Sequence, residues 1–159
     1  MKTRHGLLMI SIVAISVAFT GSVWPQDRPA DTMQLVRDKI RADKKLLIAE
    51  NLALTESEAK AFWPVYDRYQ QELSTLNDRT ITLIKNYASN YQTMSDQAAK
   101  RLVDESLAIE AARQKLRRAY LPKFRKVLRD KQVARYYQLE NKIHAAVSYE
   151  LAADIPLVK

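Results

Sequence analysis

One histidine beyond the N-terminal segment, His144, and no cysteine anywhere leave little from which a soft-metal site can be assembled. Such sites need several convergent imidazole, thiolate or carboxylate ligands. His144 stands beside the apolar Ile143 and near Val147, the setting of a partly exposed packing histidine. The nearest approaches to an acid–base couple are the carboxylate pairs Asp104–Glu105 and Glu56–Glu58. The first reads as a charged helix face and the second as a helix cap. Serine–histidine–aspartate chemistry would also need an oxyanion hole. The only glycines are Gly6 and Gly21, so the chain beyond them lacks the residue that phosphate-cradling loops and nucleophile elbows exploit for positive φ. No catalytic residue, no metal site and no cofactor are expected.

Charge is segregated instead. Without Lys2 and Arg4 the 26 basic residues fall to 24 against 18 acidic ones, a net charge of +6. The stretch from Arg113 to Lys131 alone holds nine basic residues (Arg113, Lys115, Arg117, Arg118, Lys123, Arg125, Lys126, Arg129 and Lys131) against one acid, Asp130. At roughly 100° per helical residue, Lys115, Arg118, Arg125, Lys126 and Arg129 share one arc, opposite Leu116, Tyr120, Phe124 and Val127. A positive ridge of this kind attracts acidic partners, whereas a merely solvated face would be balanced by neighbours elsewhere. Arg113 and Arg117 fall inside or beside the apolar arc, where a charge is costly unless paired. They are expected to bridge to Asp67, Glu72 or Asp78 on a facing helix, or else to lie on a surface that meets a partner.

Four helices must position these residues. The first runs from about Asp31 to Asn51, with Asp31 and Gln34 at capping-box spacing and Met33, Val36, Ile40 and Leu47 as its apolar stripe. Leu52 to Leu54 form a connector. Thr55 and Glu58 then open a long second helix carrying Val65, Tyr69, Leu73, Leu76, Leu83, Tyr87 and Tyr91. Thr93 to Ser95 reverse the chain, and Ser95 caps a third helix with Asp96 placed against its dipole. That helix carries Ala99, Leu102, Ile109, Leu116, Tyr120, Phe124 and Val127 as far as a break near Arg129–Asp130. A fourth helix covers about Lys131 to Ala152. Pro64 and Pro122 fall deep inside helices, where a kink is expected. Two long helices joined by so short a link must form an antiparallel hairpin. The fold class is all-α, four helices built around that hairpin. Its open side needs cover from the flanking helices or from a second copy of the chain in a dimer. Phe62, Trp63, Tyr66, Tyr69, Tyr136 and Tyr137 are expected to close the open end as core, an aromatic partner-binding patch being the alternative.

At the N-terminus, Lys2 and Arg4 precede the uncharged run Leu7 to Ala18, the pattern of a secretory signal peptide. The run is shorter than the roughly 20 apolar residues of a bilayer span. Cleavage after Ala18 or after Ser22 satisfies the small-residue requirement. The organisation read from this is a signal peptide over 1–22, a flexible segment over 23–30, a helical-hairpin domain over 31–152 and a C-terminal tail over 153–159.

Two short motifs stand at helix mouths: Leu54-Thr55-Glu56-Ser57-Glu58 before the second helix and Leu128-Arg129-Asp130-Lys131-Gln132 before the fourth. Together they resemble the paired Leu-Thr-x-x-Gln motifs of the Spy/CpxP-like periplasmic proteins. Leu54, Thr55, Leu128 and Gln132 match outright, while Glu58 replaces a glutamine and Arg129 a threonine. The stretches 61–66 and 135–142 resemble signatures of a subgroup of exported helical proteins. The resemblance implies a thin, hairpin-based four-helix dimer in the bacterial envelope. It also implies the family's activities, which are ATP-independent folding chaperones, inhibitors of stress signalling and a zinc-associated branch. That last branch relies on histidine-rich segments this chain lacks.

The expected function is an exported, periplasmic, non-enzymatic protein-binding module that meets unfolded or acidic clients through the ridge Lys115, Arg118, Arg125, Lys126 and Arg129. A dedicated partnership with one envelope protein and weak contact with anionic membrane surface are the alternatives. Nucleic acid is not expected in that compartment.

Overall fold

In a computed structural model the described residues are 30–158, with side chains from Arg41 onward. The expected signal peptide, 1–22, and residues 23–29 lie outside them. The described chain is four helices without a strand: α1 Ala30–Leu52, α2 Glu56–Asn90, α3 Asp96–Arg125 and α4 Asp130–Asp154. Among the described residues no helix is long and apolar enough to cross a membrane.

The residues from Arg41 onward form one compact unit. Within it α2 and α3 pair in opposite directions, since Tyr120 meets Glu72, Arg113 meets Asn77 and Arg79 meets Glu105. The hairpin is thus antiparallel, as its short link demands. Thr55 caps α2 through a full capping box: its hydroxyl accepts from the Glu58 N–H at 3.3 Å, and Glu58 accepts from the Thr55 N–H at 2.9 Å. Ser95 accepts from the Ala98 N–H at 3.3 Å and starts α3. Pro64 and Pro122 sit inside helices that run on past them.

Three expectations about boundaries and phase need correction. Asp31 lies within α1 rather than before it. The inward face of α1 is Lys44, Ile48 and Leu52, whereas Leu47 stays exposed, because Lys44 reaches a buried carboxylate and fixes the helix's rotation. The third correction is that α3 ends at Arg125, four residues before the expected break. Its last turn tightens, with Lys126 N–H bonding to Lys123 and Val127 N–H to Phe124 at i→i−3 spacing. This turn carries Leu128 into the core and leaves Arg129 as the residue before α4. Ala53, joining α1 to α2, takes φ of 47°, a left-handed conformation that a side chain disfavours and that the glycine-poor composition did not suggest.

The core lies at the end of the hairpin away from the 91–95 turn. Ile48 and Leu52 of α1, Phe62, Tyr66, Tyr69 and Leu73 of α2, Tyr120 and Phe124 of α3 and Val133 and Tyr136 of α4 form one buried cluster with Leu128. Phe62 and Phe124 have no exposed surface, and the Phe124 and Tyr136 rings lie 4.7 Å apart between centroids. Ring pairs of this geometry add about 0.5–1.5 kcal/mol beyond the area they bury. The aromatic end is therefore core, held from four helices at once.

Candidate functional site

The two short motifs meet. Arg129 Nε lies 3.6 Å from Glu58 Oε1, and Gln132 bonds to the same carboxylate. Gln132 also accepts from the Arg129 backbone N–H at 3.0 Å, so it caps α4 as Glu58 caps α2. The Thr55 backbone N–H, then the Gln132 amide, and lastly the Arg129 charge hold the Glu58 carboxyl below its ordinary range against a smaller opposing effect of burial. Leu128 is buried and Leu54 packs against the core. These motif residues clasp two helix starts together, a structural task.

This clasp alters the basic ridge. Lys115, Arg118, Arg125, Lys126 and Arg129 are all exposed, as the arc required. They do not form one helical stripe, however, because Lys126 lies in the turn beyond α3 and Arg129 at the mouth of α4. Arg129 is turned to Glu58, and Arg125 Nε pairs with Asp130 at 3.1 Å. Lys115, Arg118 and Lys126 make no ion pair among the described residues. Lys123 lies over the Tyr120 ring at 3.8 Å, and with Arg125 it complements the negative end of the α3 dipole.

Arg113 and Arg117 do not bridge to the expected carboxylates. Both Arg113 Nη atoms donate to Asn77 Oδ1 at 3.1 Å, and Arg117 Nη2 donates to Asn141 Oδ1 at 2.7 Å. Asp67 pairs with Lys45, and Glu72 accepts from the Tyr120 hydroxyl. The two arginines line an open groove of about 300 Å³ between the hairpin and α4, together with Leu83, Ile109, His144 and Ser148. Burial, then the charges of Arg113 and Arg117, push the His144 imidazole down from its ordinary value, with Glu110 opposing. Sequence reasoning placed His144 on a helix face but could not see this groove, because its walls come from three helices.

A second polar cluster joins α1, α2 and α4. Lys44 Nζ sits 2.8 Å from Glu140 Oε2, with side chains only 17% and 9% exposed. Gln70 accepts from Lys44 at 2.9 Å and donates to Glu140 at 3.0 Å. The nearby Tyr66, Tyr69 and Tyr136 hydroxyls are pushed far up by burial and next by the Glu140 charge, so they hold their protons at any ordinary pH. Lys44, Gln70 and Glu140 thus satisfy one another, while the Tyr66 hydroxyl is buried without a hydrogen-bond partner. No group of three or more potential metal ligands comes together among the described residues.

No protein-family model, curated protein or solved structure matches this chain.

Proposed function

We propose that this protein is an exported, periplasmic, non-enzymatic binding module of Spy/CpxP-like type that holds unfolded or acidic segments of other proteins by reversible contact. The observation that carries the reading is the unneutralised basic surface of Lys115, Arg118 and Lys126, continuous in sequence with the two amide-bound arginines of the groove. Such a surface raises the local concentration of acidic chain and speeds its encounter, without cofactor or bond chemistry. The family assignment is supported by the matching residues Leu54, Thr55, Leu128 and Gln132 at the mouths of α2 and α4, and export by the charged and apolar pattern of residues 1–18.

The test is aggregation of several unrelated unfolded proteins, followed by light scattering with the protein at near-stoichiometric amounts. Protection of most of them is the expected result. Protection of none, with capture of a single envelope protein instead, would replace the reading by a dedicated partnership. Sedimentation with anionic vesicles in the absence of any client effect would replace it by membrane-surface binding.

A further inference from the structure

Arg113 and Arg117 stand one turn apart on α3, and like charges so close repel, the more so where water is partly excluded. Burial, with Arg117 beside it, already makes the Arg113 charge less favourable than an exposed guanidinium. The ordinary remedy is a carboxylate, yet among the described residues neither arginine makes an ion pair. Each guanidinium carries five N–H donors. Hydrogen bonds to protein use two on Arg113 and one on Arg117, all to neutral amide oxygens. The facing acids do not close this gap. Glu110, the one acid lining the groove, is exposed and makes no ion pair among the described residues, and Glu140 is held by Lys44 and Gln70. The lining also offers the Ser148 hydroxyl and the His144 ring, 3.2 Å apart on α4, and the side chains of Leu83 and Ile109.

We propose that this groove is a carboxylate subsite seating a glutamate or aspartate side chain of an extended acidic peptide. The two guanidiniums bind the carboxylate through donors the protein leaves unused, and Leu83 and Ile109 receive its hydrocarbon stem. A free, strongly hydrated anion satisfies only the first of these features, which is why a peptide side chain fits better than phosphate. The assignment rests on the reading of the protein as a binder of acidic segments and names the place where one such residue is held.

His144 gives a direct readout, because a carboxylate on the neighbouring guanidiniums must raise its lowered pKa. The ring resonances of the full chain are followed by NMR during titration with an N-acetylated polyglutamate peptide and, separately, with inorganic phosphate. The His144 signal is told from His5 by its loss in His144→Gln. The peptide is expected to shift His144 saturably and to raise its pKa, with phosphate acting only at much higher concentration. Ser148→Asp, which places a carboxylate in the groove from the exposed side of α4, and the pair Arg113→Gln with Arg117→Gln should each weaken the peptide effect about tenfold or more. Glu110→Gln should strengthen it severalfold, a gain that a misfolded variant cannot mimic. Phosphate as effective as the peptide, or Ser148→Asp without effect, would overturn the proposal. Peptide bound without any change at His144 would overturn the subsite while leaving the binding function standing. A responsive His144 in a protein that protects no client would do the reverse.

Discussion

Glu58 carries two duties that are normally divided. It completes the capping box of α2 and accepts Arg129 and Gln132 from the mouth of α4. The contact with Arg129 depends on its charge and the cap is strengthened by it, and the folded protein holds its carboxyl below the value of 4.5 it has when free. A depressed carboxylate contributes stability that is fully present above the unfolded value and lost as pH falls through the folded one. Thermal melting of Glu58→Gln should therefore show a lower Tm than the parent at pH 7. The two curves should converge as pH drops below 4.5 and the parent's Glu58 is protonated. A gap that persists undiminished in acid would mean that shape, not charge, makes the clasp. The motif was readable in the sequence because capping boxes have a fixed spacing. Its partner was not, since nothing in Leu128-Arg129-Asp130-Lys131-Gln132 says which helix start it touches. The amide partners of Arg113 and Arg117 were hidden for a related reason: charge logic searches for carboxylates, and Asn77 and Asn141 carry none.

At the scale of elements, hydrophobic period and caps were enough to give four helices in order, and the 91–95 turn was short enough to fix the hairpin. The end of α3 escaped because Val127 keeps the helical period, and only burial of Leu128 shows that the last turn tightens. The rotation of α1 escaped because Lys44, a charged residue, points inward. That inward lysine ties α1 to α2 and α4, and it supports an energetic prediction. Removing one member of a buried pair strands the other, at a cost of about 3–5 kcal/mol. The residual exposure of Lys44 and Glu140 argues for the lower figure, about 3 kcal/mol for Lys44→Met or Glu140→Leu alone. The double variant should cost clearly less than the two singles together, since neither charge is then left without its partner. Urea denaturation of the four proteins checks this, and strictly additive losses would show that the pair is not coupled.

For the whole molecule, packing and charge occupy different faces of the same segment. The aromatic cluster closes one end of the hairpin. The basic run from Arg113 to Lys131 lies at that same end, on the C-terminal half of α3 and the turn after it, around the buried Tyr120, Phe124 and Leu128, and among the described residues only Arg125 and Arg129 of the run are held in ion pairs. A surface left in this state serves an external partner or is merely hydrated, and salt distinguishes the two. The Debye length falls from about 10 Å at 0.1 M to about 3 Å at 1 M, so contacts made at exposed charges weaken over that range. Lys115, Arg118 and Lys126 are the right residues to reverse because none has an intramolecular ion pair among the described residues. Exposed charges contribute roughly 0–1 kcal/mol each to stability, so lost binding would not reflect unfolding. The decisive measurement is client binding by the triple variant Lys115→Glu, Arg118→Glu and Lys126→Glu beside the parent, across that salt range, with Tm recorded for both. Loss of binding by the variant at low salt, steep weakening of the parent with salt and nearly equal Tm values are the predicted result. Binding by the variant as tight as the parent's and insensitive to salt would contradict it.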